Sequence, residues 1–109
     1  ILVGLVGLIV GCPASAAKWK IGTPIVTYWA GPGGFMTVDD RTVSQLSAGG
    51  WNLGWAETPE DLDTYRRYGL RAMYVVRTPN VDDPEQAKAL DALIAKVKDH
   101  PALYAYYLA

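Results

Sequence analysis

Short apolar segments alternate along the chain with helix-like segments, and this alternation constrains the fold more than any other feature. The apolar segments read "GTPIVTYW", "WNLGWA", "LRAMYVV" and "ALYAYYLA", and their β-branched and aromatic residues are typical of strands. The first strand is predicted at about Pro24 to Trp29. The resulting β-α-β-α-β-α-β order predicts an α/β fold with a parallel sheet and right-handed crossovers.

Helix-start signals lie between the predicted strands. Asp39 or Asp40 is suited to cap the first helix. Thr58 precedes "PED" and Asp83 precedes "PE", so the second and third helices each begin with a cap, a proline at the first helical position and acidic residues in the first turn. The third helix also carries an apolar stripe, formed by Ala87, Leu90, Leu93, Ile94 and Val97.

The alternating pattern is compatible with two architectures. One is an open, doubly wound sheet, which in a nucleotide-binding domain carries a phosphate loop after its first strand. The other is the start of an eight-fold β/α barrel. The glycine-rich "AGPGG" after strand one lacks both the Lys-Ser/Thr of a phosphate loop and the spacing of a dinucleotide fingerprint. Phosphate binding is therefore not expected there, but pattern alone does not separate the sheet from the barrel.

The chain opens with an uninterrupted apolar run, "ILVGLVGLIVG". These eleven residues are too few to cross a bilayer, which takes about twenty. A proline, several small residues and the first charge follow in "CPASAAKWK". This order is typical of a signal peptide without its basic start, predicted at residues 1–17. The alternative is a buried first strand or helix.

Two processing routes fit the end of this leader. Small residues at 14–16 or 15–17 suit ordinary signal cleavage. Alternatively, "IVGC" resembles a lipobox, in which Cys12 is lipidated. Both routes predict an exported protein, periplasmic or extracellular, and membrane attachment is expected only for the lipidated form.

Composition argues against several functions. Ten basic and eleven acidic residues leave a net charge of −1 without a run of like charge, whereas nucleic-acid binding needs a basic patch. A single cysteine excludes an internal disulfide and a cysteine-based zinc cluster. The only histidine, His100, stands at the C-terminus of the third predicted helix, where we expect a structural role. No metal or cofactor is expected.

Two long segments carry a resemblance to a known group of enzymes. "GWNLGWAETPEDLDTYRRYGLRAMYVV" and "DHPALYAYYLA" resemble the first half of a TIM-barrel glycoside hydrolase, in the clan of the family 42-like β-galactosidases and the cellulase-like enzymes. The resemblance runs from about Ile21 to Ala109. Its best-matching parts are "AGGWN", "YGLR" and "HPALYAYYLA", which are motifs of fold and lineage.

The resemblance implies that residues 18–109 form the N-terminal half of a (β/α)8 barrel, incomplete in itself. It also implies hydrolysis of O-glycosidic bonds in a carbohydrate substrate by two carboxylates. In this clan the carboxylates follow strands four and seven, so the acid/base is expected just after Ala109. As a barrel strand, "LYAYYLA" is expected to be buried on both faces. The alternative is a non-catalytic carbohydrate-binding or surface protein on the same scaffold.

Five residues at strand ends are candidates for substrate binding, since barrel chemistry takes place where strands end. Tyr28 and Trp29 end strand one and point opposite ways, so at most one of them lines the mouth of the barrel. Trp55 and Glu57 end strand two with the same parity, and Arg77 follows strand three. Aromatic rings stack on the C–H faces of sugars, and charged groups hydrogen-bond sugar hydroxyls. The structural alternatives are packing in the barrel wall for the aromatic residues and solvated surface charges for Glu57 and Arg77.

Overall fold

A computed structural model describes residues 19–28 and 37–109 of the chain. The elements run in the order α1 (Asp40–Ala48), β1 (Leu53–Ala56), α2 (Pro59–Arg67), β2 (Arg71–Val76), α3 (Pro84–Val97) and β3 (Leu103–Leu108). The signal peptide predicted at residues 1–17, including Cys12, and the candidate Trp29 lie outside the described residues.

The three strands form one parallel sheet in the order β1-β2-β3. The predicted α/β fold with a parallel sheet is therefore confirmed for this part of the chain. Between β2 and β3 the register shifts: Ala72 pairs with Leu103, but Met73 pairs with Ala105. Tyr104 is the extra residue, and a bulge of this kind turns the following side chains to the other face of the sheet.

All three predicted helix starts are confirmed. Asp39 caps α1 by accepting the Thr42 N–H at 2.8 Å, and Asp83 caps α3. At α2 the cap is reciprocal, because Thr58 Oγ1 accepts the Asp61 N–H at 3.1 Å and the Asp61 carboxylate accepts the Thr58 N–H at 3.0 Å. These bonds satisfy backbone donors that have no partner within the helix.

One core holds the helices to one face of the sheet. In β2 the side chains alternate between buried and partly buried, which places Ala72, Tyr74 and Val76 on the face that the helices cover. The other face carries Arg71 and Met73. The core on the helix face also includes residues from every helix, namely Val43, Leu62, Tyr65 and Val97.

The predicted strand from Pro24 to Trp29 is wrong for its described part. Residues 24–28 have no regular secondary structure and join no ladder. The side chain of Asn52 takes the place of a strand partner: its Oδ1 accepts the Val26 N–H at 2.8 Å and its Nδ2 donates to the Pro24 carbonyl at 2.8 Å. The Val26 carbonyl then accepts the N–H groups of both Asn52 and Leu53. Pro24 has no N–H to donate, and the Asn52 side chain already bonds the Pro24 carbonyl and the Val26 N–H. A regular ladder therefore does not form.

Among the described residues the last strand is not buried on both faces, and its burial in a complete barrel stays a prediction. Tyr106 is 36% exposed and Leu108 is 72% exposed. β3 is the outermost strand of the sheet, and α2 packs over β1 and β2. The apolar side chains of β3 are therefore partly exposed in the part of the chain that the structure describes.

His100 connects the end of α3 to α2. Its Nδ1 accepts the Ala102 N–H at 3.0 Å, so the ring hydrogen lies on Nε2, which is 2.7 Å from Asp63 Oδ1. The Asp63 side chain belongs to α2. These two bonds give His100 the structural role that its position predicted.

Candidate functional site

The carboxyl ends of the parallel strands bring two of the candidate residues together. Glu57 follows β1 and Arg77 follows β2. The carboxylate oxygen Oε1 of Glu57 lies 3.8 Å from the guanidinium nitrogen Nη2 of Arg77. Adjacent parallel strands end at the same edge of a sheet, which is where α/β proteins bind their ligands.

Both side chains of this pair are open to solvent. The Arg77 side chain is 79% exposed and the Glu57 side chain is 43% exposed. An exposed pair of this kind contributes at most about 1 kcal/mol to stability. The fold therefore does not depend on the pair. A ligand with hydroxyl groups can bind to either side chain with little loss of free energy from breaking the pair.

A cleft of about 400 Å³ lies beside the pair, between the end of β2 and α3. Its lining includes Glu57, Tyr74, Arg77, Gln86 and Leu90. The Tyr74 hydroxyl donates to the Glu57 carbonyl at 3.0 Å. Burial raises the pKa of Tyr74, so this hydroxyl stays protonated and keeps the backbone of Glu57 in place.

The loop from β2 to α3 forms the rim of the cleft and is held at both ends. The N–H and the hydroxyl of Thr78 both donate to the Ala109 carbonyl, at 2.8 and 2.9 Å. Further along, Asn80 N–H donates to Gln86 Oε1 at 2.8 Å, and Gln86 Nε2 donates to Asp83 Oδ2 at 3.1 Å. A rim fixed by such bonds needs little reorganisation when a ligand binds.

Trp55 lies on the sheet face away from the helices and is bonded to the backbone of Tyr28. Trp55 is 7% exposed, and its indole N–H donates to the Tyr28 carbonyl at 3.0 Å. This bond holds the segment of residues 24–28 against β1 and uses the only hydrogen-bond donor of the indole. Burial raises the pKa of the Tyr28 hydroxyl, and its ring meets Trp51 edge-on at 5.6 Å.

Tyr107 is an aromatic residue of this face that the strand-end reasoning did not identify. Its ring meets Trp55 edge-on, with the ring centroids 5.0 Å apart, and the residue is 37% exposed. The signal was present in the sequence as alternation within "LYAYYLA". The bulge at Tyr104 changes that alternation, so the face to which each aromatic residue points required the structure.

Asp61, four positions after Glu57, is committed to the start of α2. Its Oδ2 accepts the N–H groups of Glu57 and Thr58, at 2.9 and 3.0 Å. At the carboxyl edge of the sheet, the side chains of Glu57 and Arg77 are therefore accessible to a ligand, whereas the Asp61 carboxylate is used to cap α2.

The described residues contain neither a metal-binding cluster nor a membrane-spanning helix. Across residues 19–28 and 37–109, no cluster of three or more His, Cys, Asp or Glu side chains is arranged to hold a metal ion. In the same ranges no helix combines the length and the apolar character needed to span a membrane.

Comparison with protein-family models, with curated proteins and with solved structures finds no match to this chain. The resemblance to glycoside hydrolases therefore stays a prediction that rests on the sequence motifs.

Proposed function

We propose that the chain is the N-terminal part of an exported glycoside hydrolase-like protein built on a (β/α)8 barrel. The observation that carries the proposal is the solvent-open Glu57–Arg77 pair beside a cleft of about 400 Å³, at the carboxyl edge of a parallel sheet. A carboxylate that accepts hydroxyl hydrogens and a guanidinium that donates to hydroxyl oxygens suit a sugar. The leader at residues 1–17 supplies export, with lipidation at Cys12 as the alternative route.

The strand order is compatible with the barrel in this proposal, as it is with one half of a doubly wound sheet. Each crossover, from β1 to β2 and from β2 to β3, moves the chain one strand further in the same direction, as it does throughout a barrel. Residues 24–28 continue the series on the other side of β1. They bond the N–H and the C=O of Leu53, which point away from β2 when the strands are paired.

In the proposed enzyme the described residues bind substrate and do not perform the chemistry. Glu57 and Arg77 hydrogen-bond sugar hydroxyls, and Tyr107 offers an exposed ring on which a sugar can stack. The acid/base is the carboxylate expected after β3, and its partner follows a later strand. Each step of glycoside hydrolysis needs both carboxylates.

The second candidate function is carbohydrate binding without catalysis. One observation favours it: Asp61 is committed to the α2 cap and Glu57 is paired with Arg77. The described edge therefore contains groups for binding and no free pair of carboxylates.

Kinetics of the full-length protein test the proposal. Glu57→Gln and Arg77→Gln are each expected to raise KM for an oligosaccharide substrate about tenfold, equivalent to about 1.4 kcal/mol of lost binding, with little change in kcat. Arg67→Gln is the matched control, because it also removes an exposed ion pair, the one with Asp40.

The outcomes separate the candidates. KM values for the Glu57 and Arg77 variants equal to that of the Arg67 variant would contradict the assigned binding roles. Saturable binding of oligosaccharide without hydrolysis would reject the glycoside hydrolase function and support carbohydrate binding without catalysis. Neither binding nor hydrolysis across a panel of oligosaccharides would overturn both candidates.

A further inference from the structure

A second cleft lies at the opposite edge of the sheet from Glu57 and Arg77. It encloses about 490 Å³, and its lining includes Trp19, Lys20, Arg71 and Tyr104. Arg71 is the first residue of β2 and Arg77 follows its last. At about 3.3 Å per strand residue, the two arginines are about 20 Å apart along the strand. The second cleft is therefore separate from the candidate sugar site.

A tight turn forms the outer wall of this cleft. The Thr23 N–H donates to the Lys20 carbonyl at 3.0 Å, and the Lys20 N–H donates to Thr23 Oγ1 at 3.1 Å. Gly22, at the third position of the turn, has φ +89°, which glycine adopts readily and other residues do not. The turn thus holds Lys20 at the cleft while Ile21 is fully exposed at its tip.

Aromatic rings hold the arginine in place. The Arg71 guanidinium lies over the Trp19 ring, 5.4 Å from its centroid. Trp19 in turn contacts Tyr104, with ring centroids 5.5 Å apart. A guanidinium stacked in this way keeps the N–H groups at its edge available for a planar oxyanion.

The two cations of the cleft have no acidic partner. Among the residues that the structure describes, ion pairs engage Arg67, Arg77 and His100 but neither Lys20 nor Arg71. Two positive groups that line one concave surface without a carboxylate attract an anion.

We propose that this cleft binds a small organic anion, in which a carboxylate or phosphate attached to a ring is held by Arg71 and Lys20. The ring of the ligand packs against Trp19 and Tyr104. The volume of about 490 Å³ is in the range of small-molecule pockets. Tyr104 is 42% exposed, so part of its ring is free for a ligand. This site is independent of the proposed sugar site.

Calorimetric titration of the full-length protein at low ionic strength tests the proposal, because salt weakens exposed charge interactions. The probes are phenyl phosphate and benzoate, which carry both features, inorganic phosphate, which lacks the ring, and benzyl alcohol, which lacks the charge. We expect saturable binding of phenyl phosphate or benzoate, and the tighter of the two identifies the preferred oxyanion. Inorganic phosphate should bind at least fivefold more weakly than phenyl phosphate, and benzyl alcohol should show no saturable binding.

Two variants with the same charge change provide the matched comparison. Arg71→Gln is expected to weaken binding of the preferred probe at least tenfold, whereas Arg77→Gln, at the other end of the same strand, should leave it within twofold. Tyr104→Ala should remove most of the advantage of phenyl phosphate over inorganic phosphate. If Arg71→Gln does not fold, Lys20→Gln at the exposed turn takes its place in the comparison.

Three results would overturn the proposal. The first is no saturable binding of either charged ring probe to the unmodified protein. The second is that Arg77→Gln weakens binding of the preferred probe as much as Arg71→Gln does, or as much as Lys20→Gln if that variant is used instead. Equal weakening would indicate general attraction of anions. The third is binding of benzyl alcohol as tight as that of phenyl phosphate, which would indicate an apolar pocket without anion recognition.

Discussion

At Gly54, the absence of a side chain lets Tyr65 of α2 reach the sheet. A Cβ atom built at Gly54 would overlap the Tyr65 ring. In the space that the glycine leaves, the Tyr65 hydroxyl donates to the Trp55 carbonyl at 2.8 Å and accepts the Trp55 N–H at 3.2 Å. A glycine that weakens the strand by its low β-propensity is therefore required for packing between the helix and the sheet.

Gly54→Ala should lower the free energy of unfolding by about 3 kcal/mol, since overpacking in a tight core forces side chains or backbone to move. Gly49→Ala is the control, because Gly49 has an ordinary helical φ of −79° and a Cβ there, 3.3 Å from Trp51, would require that side chain to shift by only a few tenths of an ångström. Urea unfolding of both variants measures the difference. A Gly54 variant as stable as the Gly49 variant would show that Tyr65 does not need this space.

At the scale of elements, each helix begins with side chains that lie next to it in sequence. At α2, Thr58 and Asp61 satisfy each other's backbone N–H groups, and Asp61 also accepts the N–H of Glu57. The same cap thus sets the start of the helix and fixes the backbone of a candidate binding residue. Stability and site geometry are coupled at this point.

Thr58→Ala should cost about 1 kcal/mol of stability, because the Asp61 N–H loses its acceptor. Thr58→Ser keeps the hydroxyl and should retain most of that contribution. Chemical denaturation of the three proteins gives the comparison. Equal losses in the alanine and serine variants would assign the effect to the lost methyl group and not to the cap.

At the scale of the whole molecule, buried tyrosines link the fold to pH. Burial raises the pKa values of Tyr28, Tyr65 and Tyr74 above the ordinary value of 10.0. Tyr65 is fully buried in the core cluster, where it joins α2 to β1. The folded protein thus keeps these hydroxyls protonated in conditions where the unfolded chain ionises them.

The free energy of unfolding should therefore be insensitive to these groups below about pH 10 and should fall as the pH rises above it, because the unfolded state then binds fewer protons. Tyr65→Phe should be less stable at neutral pH, since it loses two hydrogen bonds, but its stability should fall less steeply in alkali. Tyr107→Phe, at an exposed ring, should keep the steep fall. Urea unfolding at neutral and alkaline pH tests this, and equal slopes in both variants would contradict the role of Tyr65.

The sequence by itself determined the elements whose signals are local. The caps at Asp39, Thr58 and Asp83 form hydrogen bonds to residues two or three positions away, so short stretches of sequence were enough to predict where the helices begin. The parallel sheet followed from alternation, and the positions of Glu57 and Arg77 at strand ends followed from the predicted strands, whereas their approach to 3.8 Å was seen only in the structure. None of these inferences required knowledge of a contact between distant segments.

The tertiary structure alone decided the features that depend on such distant contacts. The segment from Pro24 was as strand-like in composition as β2, but Asn52, 26 positions after Val26, occupies its backbone groups. The bulge at Tyr104 depends on how β3 aligns with β2, and the second cleft brings residue 19 against Arg71 and Tyr104. Propensity and periodicity describe a residue and its near neighbours in sequence, whereas register and pairing are set by whichever distant groups best satisfy the backbone and fill the core.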